Sequence, residues 1–383
     1  MDKPTVQDIF HRFYPAYLDK YSPSPVQAKV AHNIMNCKTG AYGANVCVCE
    51  DCGFVQIHYN SCRNRCCPMC QAVPKEMWMD ARREDVLDAP YFHLIFTVPD
   101  ILNPVIYSNQ RLLYDALYHA ASSTISELTA DPKHLGAKVG YICILHTWGS
   151  EMNFHPHIHT ILLGGGLASN NQWKDNGENF FLPIRVISKM FRGKYLEELK
   201  RLWEEDKLVF HGTAEKFRNH YTFKELLDSC YGMDWIPHCK KTFNGAQTVI
   251  KYLGKYTHRI AVSNHRIVRM DDDTVTFLVK DYRNEGQWKE LTISGVEFVR
   301  RFLMHVPPRR FVRIRHYGLL CSRTKSQKLT LCRNLLGCKK YLSKLRDMEM
   351  PEILEHLYGI KVCVCKACGG HLGKPQMRMP LRC

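Results

Sequence analysis

Between Arg300 and Arg346 there is no aspartate and no glutamate, against fourteen lysines and arginines. A stretch this long without counter-charge argues against a basic partner and for a polyanionic one, nucleic acid above all. The whole chain leans the same way, with a formal charge of +16 and a pI near 9.1. Long apolar runs are also lacking, so no membrane span is expected, and MDKPTVQDIF carries no apolar leader. The expected setting is therefore the cytoplasm, in association with the nucleoid of a prokaryotic cell. No 20–50-residue repeat is visible, which leaves out solenoid architectures, and no low-complexity linker marks a clean domain boundary. At 383 residues and 45% hydrophobic content, two or three packed domains are within reach.

What is present is a patterned α+β chain. YFHLIFTVP, GYICILHTW and HPHIHTILL alternate as strands, and helical spacing occupies residues 101–135, 186–206 and 216–230. GAQTVIKYLGKYTH reads as a further helix, and a short β-rich run with the turns MDDDT and NEGQ follows it. The chain divides into a helix plus zinc-binding region (1–75), a strand-and-helix core (76–265), a β-rich subdomain with a helix (266–320) and a basic tail containing a CxxC (321–383).

Eighteen cysteines in a chain of this setting point to thiolate metal ligands more than to disulfides. Cys49-x2-Cys52 and Cys67-x2-Cys70 have the two-knuckle spacing of a tetrahedral structural zinc site, closed to catalysis. Cys37, Cys47, Cys62 and Cys66 lie in the same stretch and can serve a second ion or replace one of the four. Arg63 and Arg65 fall on the rim of this ribbon, where phosphate contact fits. The CxxC at Cys365 and Cys368 reads either as a small terminal metal site, with His371 and Cys383 near it, or as a tail without ligand.

HPHIHTILLGGG places His155, His157 and His159 at every second position, hence on one face of a strand. Pairing of this strand with GYICILHTW as an antiparallel hairpin brings His146 to the same side as a third ligand, with His155, Glu151 and His258 as competitors. No aspartate follows at short spacing, which weighs against a metallohydrolase. In KYLGKYTHR, Tyr252 and Tyr256 are four apart and share a helical face, flanked by Lys251, Lys255 and Arg259.

Together NSCRNRCCPMCQ, YFHLIFTVP, ADPKHLGA, HTWG, HPHIHTILLGGGL, YLGKYTHRIAVSN and RRFLMHVPPRRFVRIRHYGLL resemble the HUH-endonuclease superfamily. More specifically they are similar to its two-tyrosine rolling-circle transposases of the insertion-sequence ninety-one type. One departure is Cys66, where that family usually has histidine. The resemblance implies an RRM-like antiparallel sheet with an N-terminal zinc ribbon and a basic C-terminal region. It implies a divalent ion, magnesium or manganese, on His157 and His159, and structural zinc on the cysteines. Tyr252 and Tyr256 become nucleophiles that nick and religate single-stranded DNA at element ends through a 5′-phosphotyrosyl bond. Lys251, Lys255, Arg259, Arg309, Arg310, Arg313 and Arg315 become DNA contacts. The competing expectations are a replication initiator or relaxase of the same superfamily and a non-enzymatic zinc-ribbon DNA-binding protein.

Overall fold

A computed structural model describes residues 3–175, 182–235, 237–243, 249, 254, 261–281 and 285–378. Helix α1 (Val6–Leu18) starts at Thr5, whose hydroxyl accepts the Asp8 N–H while the Asp8 carboxylate accepts the Thr5 N–H. Helix α2 (Pro25–Met35) uses Ser24 and Gln27 in the same reciprocal way, with Pro25 at a position that needs no N–H. The hairpin β1 (Ala44–Val48) and β2 (Val55–Tyr59) follows, then α3 (Ala72–Arg83).

β3 (Tyr91–Thr97), α4 (Asn103–Ser108), α5 (Gln110–Ala130), β4 (Lys138–Trp148), β5 (Phe154–Leu167) and β6 (Trp173–Asp175) come next. They are followed by α6 (Ile184–Glu204), α7 (His220–Gly232) and β7 (His238–Phe243). A three-strand meander, β8 (Ile267–Met270), β9 (Thr274–Asp281) and β10 (Gln287–Ser294), leads into α8 (Gly295–Met304) and β11 (Ile314–Gly318). The chain ends with α9 (Lys325–Leu336), α10 (Met350–Tyr358) and β12 (Gln376–Arg378).

The central sheet has the order β11-β4-β5-β3-β7, with β6 paired to β5, and every pairing is antiparallel. Its two faces follow from period-two alternation. Phe92, Leu94, Phe96, Cys143, Leu145, Ile158 and Leu162 enter one core with α5, α6 and α7. Ile142, Ile144, Ile161 and Leu163 enter another, with Met79 of α3, Val249, and Leu329 and Cys332 of α9. The expected α+β class with antiparallel strands is thus what the chain adopts.

Segments far apart in sequence share the remaining cores. α1 and α2 pack with the meander and α8, Phe10 meeting Phe302 edge-on at 5.2 Å. This small unit also holds the β4–β5 turn. Arg266 Nη2 donates to Ser150 O at 2.6 Å, and Arg301 Nη1 donates to Glu151 O at 2.9 Å. β11, from the region after the meander, forms an edge of the central sheet.

The three glycines after HPHIHTILL have a packing cause. A Cβ on Gly166 would lie 2.4 Å from the Lys138 carbonyl oxygen of the neighbouring strand, and one on Gly165 would strike the Trp173 indole. Backbone cannot yield there without breaking the ladder. Gly166→Ala is therefore expected to cost about 2 kcal/mol in chemical unfolding. Gly193→Ala in α6, where no atom lies within 4 Å of the added carbon, is expected to be neutral or to gain up to ~1 kcal/mol.

Candidate metal centres and nucleic-acid interface

On β4 and β5 His146 stands directly opposite His157, and His159 lies one pleat further along β5. All three are buried, and their ligating nitrogens lie within 4.8 Å of one another. The His157 and His159 Nε2 atoms are 3.1 Å apart. Ligand bonds of about 2.1 Å separate neighbouring donors by about 3.0 Å in octahedral and 3.4 Å in tetrahedral geometry, so the pair fits one ion. Burial, then the neighbouring His155, holds His157 down to about pKa 4. Burial, then His146 and His157, holds His159 well below the usual imidazole range. Both rings are neutral near pH 7 and have a lone pair to give.

Their orientation is set from behind. His157 Nδ1–H donates to its neighbour's carbonyl, His155 O, at 2.7 Å, leaving Nε2 for a ligand. His159 Nδ1 lies 2.9 Å from Nε2 of His93, a buried residue of β3, and donation from His159 to His93 leaves its own Nε2 for a ligand. Trp148 stacks on His146 with ring centroids 4.4 Å apart. Among the competitors, His155 is only partly buried and reaches Asp100, and Glu151 is exposed.

His93 was not singled out by its pattern, although YFHLIFTVP puts it on the face opposite Phe92 and Leu94. His93→Ala is expected to weaken binding of manganese to the purified protein about 10–100-fold in calorimetric titration while thermal unfolding stays cooperative. A loss of cooperative unfolding with unaltered manganese affinity would instead mark a purely structural residue.

The cysteines fall into two groups, which corrects the expectation that Cys49, Cys52, Cys67 and Cys70 share one ion. Cys67 and Cys70 gather with Cys37 and Cys62, whereas Cys49 and Cys52 gather with Cys365 and Cys368. The reason lies in the hairpin. Cys49 and Cys52 sit at its turn, while Cys62–Cys70 follow its other end, where Lys38 N donates to Asn60 O at 3.1 Å. Five strand residues span about 17 Å, far beyond two Zn–S bonds of about 2.3 Å. Cys66 is in neither group. It is buried beside Arg65 and Arg313, and burial pushes its thiol up.

Comparison with known proteins bears on both kinds of centre. Residues 9–98 match the family described as "Transposase zinc-binding domain" (Zn_Tnp_IS91), and residues 140–328 match "Putative transposase" (Y2_Tnp). The chain is 39% identical to "Putative transposase y4qJ" of Sinorhizobium fredii over 95% of its own length and 93% of that protein. It is 30% identical to "Transposase for insertion sequence element IS801" of Pseudomonas savastanoi pv. phaseolicola, over 79% of this chain and 72% of that one. The chain belongs to the IS91-type transposase family. No solved structure matches it at a significant level.

In this transposase, Tyr252, Tyr256, Lys251, Lys255, His258 and Arg259 lie outside the described residues. Two described residues of the same segment, Val249 and Gly254, are helical; Val249 packs on the histidine-bearing face of the sheet and Gly254 against α3. Val249 is buried with Ile142, Ile144 and Ile161, and a Cβ on Gly254 would collide with Met79.

The four arginines expected at DNA divide. Arg309 and Arg310 are exposed and, with Lys29 and Arg65, line a cleft of about 270 Å³. Arg315 instead pairs with Asp115 and lies 4.0 Å over the Tyr118 ring, and Arg313 is half-buried near Cys66. Both thus have partners within the chain. Two cations of the stretch after Arg315 are also paired, because α3 and the residues just past its end carry the acids it lacks. Lys325 meets Asp85 at 2.8 Å and Arg346 meets Glu84 at 2.6 Å. Asp80 accepts from Tyr341 and Ser343, each at 2.6 Å. Among the described residues no helix is long and apolar enough to cross a membrane.

Proposed function

We propose that this transposase nicks and religates single-stranded DNA at the ends of a mobile element through a tyrosine–DNA intermediate, on an HUH-type core. One observation carries the reading. The buried histidine cluster occupies the face of the sheet on which Val249, just before the two tyrosines in sequence, is packed, while Gly254, between them, meets α3 beside the same core.

The donor set fits a divalent cation, held by His146, His157 and His159. When bound, such a cation supplies positive charge against a scissile phosphate oxygen. Three imidazoles without a carboxylate favour manganese over magnesium. The remaining chemistry belongs to the chain. A Tyr252 or Tyr256 phenolate oxygen attacks phosphorus and the bond to the 3′ oxygen breaks. That oxygen takes a proton and leaves as a 3′-hydroxyl, and the 5′ end stays on the tyrosine. The ester bond energy is retained, so the same hydroxyl can reverse the step and no nucleotide is consumed. A free phenol has a pKa of about 10, and the sequence neighbours Lys251 and Lys255 favour its ionised form. Lys29, Arg309 and Arg310 supply backbone charge for the strand.

The test is a denaturing gel of the purified protein incubated with labelled single-stranded element ends and manganese. A protein-linked DNA band is expected. A protein that binds the same DNA but leaves it uncut and unlinked under all metals would reduce the reading to a DNA-binding zinc protein.

A further inference from the structure

The octets Val46–Gly53 (VCVCEDCG) and Val362–Gly369 (VCVCKACG) differ at only two positions, although they lie near opposite ends of the chain. They also fold alike. In the first, Gly53 has φ 71° and its N–H donates to Cys49 O at 3.1 Å. In the second, Gly369 has φ 77° and its N–H donates to Cys365 O at 2.9 Å. Each is the tight turn that presents two sulfurs of a CxxC in one direction.

The two turns face each other. Cys49 Sγ lies 3.5 Å from Cys368 Sγ, and Cys52 Sγ lies 3.8 Å from Cys365 Sγ. A disulfide needs about 2.05 Å. Four sulfurs on a tetrahedral zinc at about 2.3 Å are separated by about 3.8 Å, the spacing seen here. Backbone N–H groups of Ala367 and Gly370 point at the Cys365 and Cys368 sulfurs, each at 3.4 Å, as stabilised thiolates require. Strand pairing locks the approach: β12 pairs with β1 and Cys49 bridges to Leu372. The Asp51 carboxylate accepts the His371 N–H.

We propose that Cys49, Cys52, Cys365 and Cys368 form a second structural zinc site, built half from each end of the chain, separate from the Cys37, Cys62, Cys67 and Cys70 site. The terminal knuckle lies beyond both family matches, which end at residues 98 and 328. Residues 53–364 thereby become a loop closed by one ion, and the histidine sheet lies inside it. Such an ion stabilises the N-terminal hairpin only while the C-terminus is present.

Two measurements on full-length protein decide this. In zinc-loaded wild type, alkylation followed by mass spectrometry is expected to label the exposed, non-ligand Cys363 readily, and Cys52 and Cys368 at least about tenfold more slowly, although both are exposed. Elemental analysis is expected to find one zinc fewer per chain in Cys365→Ser/Cys368→Ser, one fewer in Cys62→Ser/Cys70→Ser, and two fewer in the combined variant. Labelling of Cys368 as fast as Cys363 overturns the proposal without any variant. An unchanged zinc count in Cys365→Ser/Cys368→Ser does so too, as does removal of one and the same ion by both pairs.

Discussion

A transposase carrying Tyr252→Phe and Tyr256→Phe together is expected to form no covalent complex with single-stranded element ends, a loss of at least about 10⁴-fold, comparable to removing any enzymic nucleophile. Phenylalanine keeps the ring and removes only the oxygen, so folding and DNA affinity should be unchanged. The zinc content set by the cysteine groups should also persist. Each single substitution is expected to stop complete transposition, because two strand ends need two acceptors. One of the two singles should still link to a single end, and Tyr252, first in the motif, is the proposed first nucleophile. The measurement is denaturing electrophoresis with peptide mapping of the linked residue. A double variant that still yields a phosphotyrosyl adduct would place the nucleophile elsewhere and remove the central step of the proposed reaction.

How much of this site could be read from sequence depended on how local each relation is. The His146–His157–His159 cluster was legible because a hairpin with a short turn fixes register, and period two then fixes the face. His93 obeys the same rule from β3, but its value arises only once β3 is seen to pair with β5. The cysteine partition was not legible in this way. Spacing alone favours Cys49, Cys52, Cys67 and Cys70, while the fold separates hairpin turn from hairpin base and brings Cys365 and Cys368 back across the chain. The repeated octet was the available signal, hidden from a search for evenly spaced repeats.

The basic stretch taught a related lesson. Absence of acid in a segment says nothing about acid across from it: Asp85 and Glu84 pair with Lys325 and Arg346 of what looked like an unbroken DNA track. Arg309, Arg310, Arg323, Lys339, Lys340 and Lys344 remain exposed outside those pairs. Arg315 shows that residue type alone does not assign a role, since its planar guanidinium also stacks on Tyr118 and pairs with Asp115.

The histidines give the second large effect. Each of His157→Ala and His159→Ala is expected to lower cleavage by about 10³-fold or more, the several kcal/mol attributed to a cation at a phosphate oxygen. Removing a buried imidazole from a face already ordered by β3, β4 and β5 leaves the hydrophobic cores on both sides intact, so a folded protein with unchanged DNA affinity is expected. His146→Ala should cost less if water replaces its nitrogen, because His157 and His159 still hold neighbouring positions. Chelation should silence the wild type, and manganese should restore it at lower concentration than magnesium, since all the donors are nitrogen. The elemental signature distinguishes this centre from the thiolate sites: His157→Ala should leave cysteine-bound zinc untouched while abolishing the manganese requirement together with cleavage. Full cleavage by His157→Ala/His159→Ala in the presence of chelator would show that the reaction does not use these imidazoles.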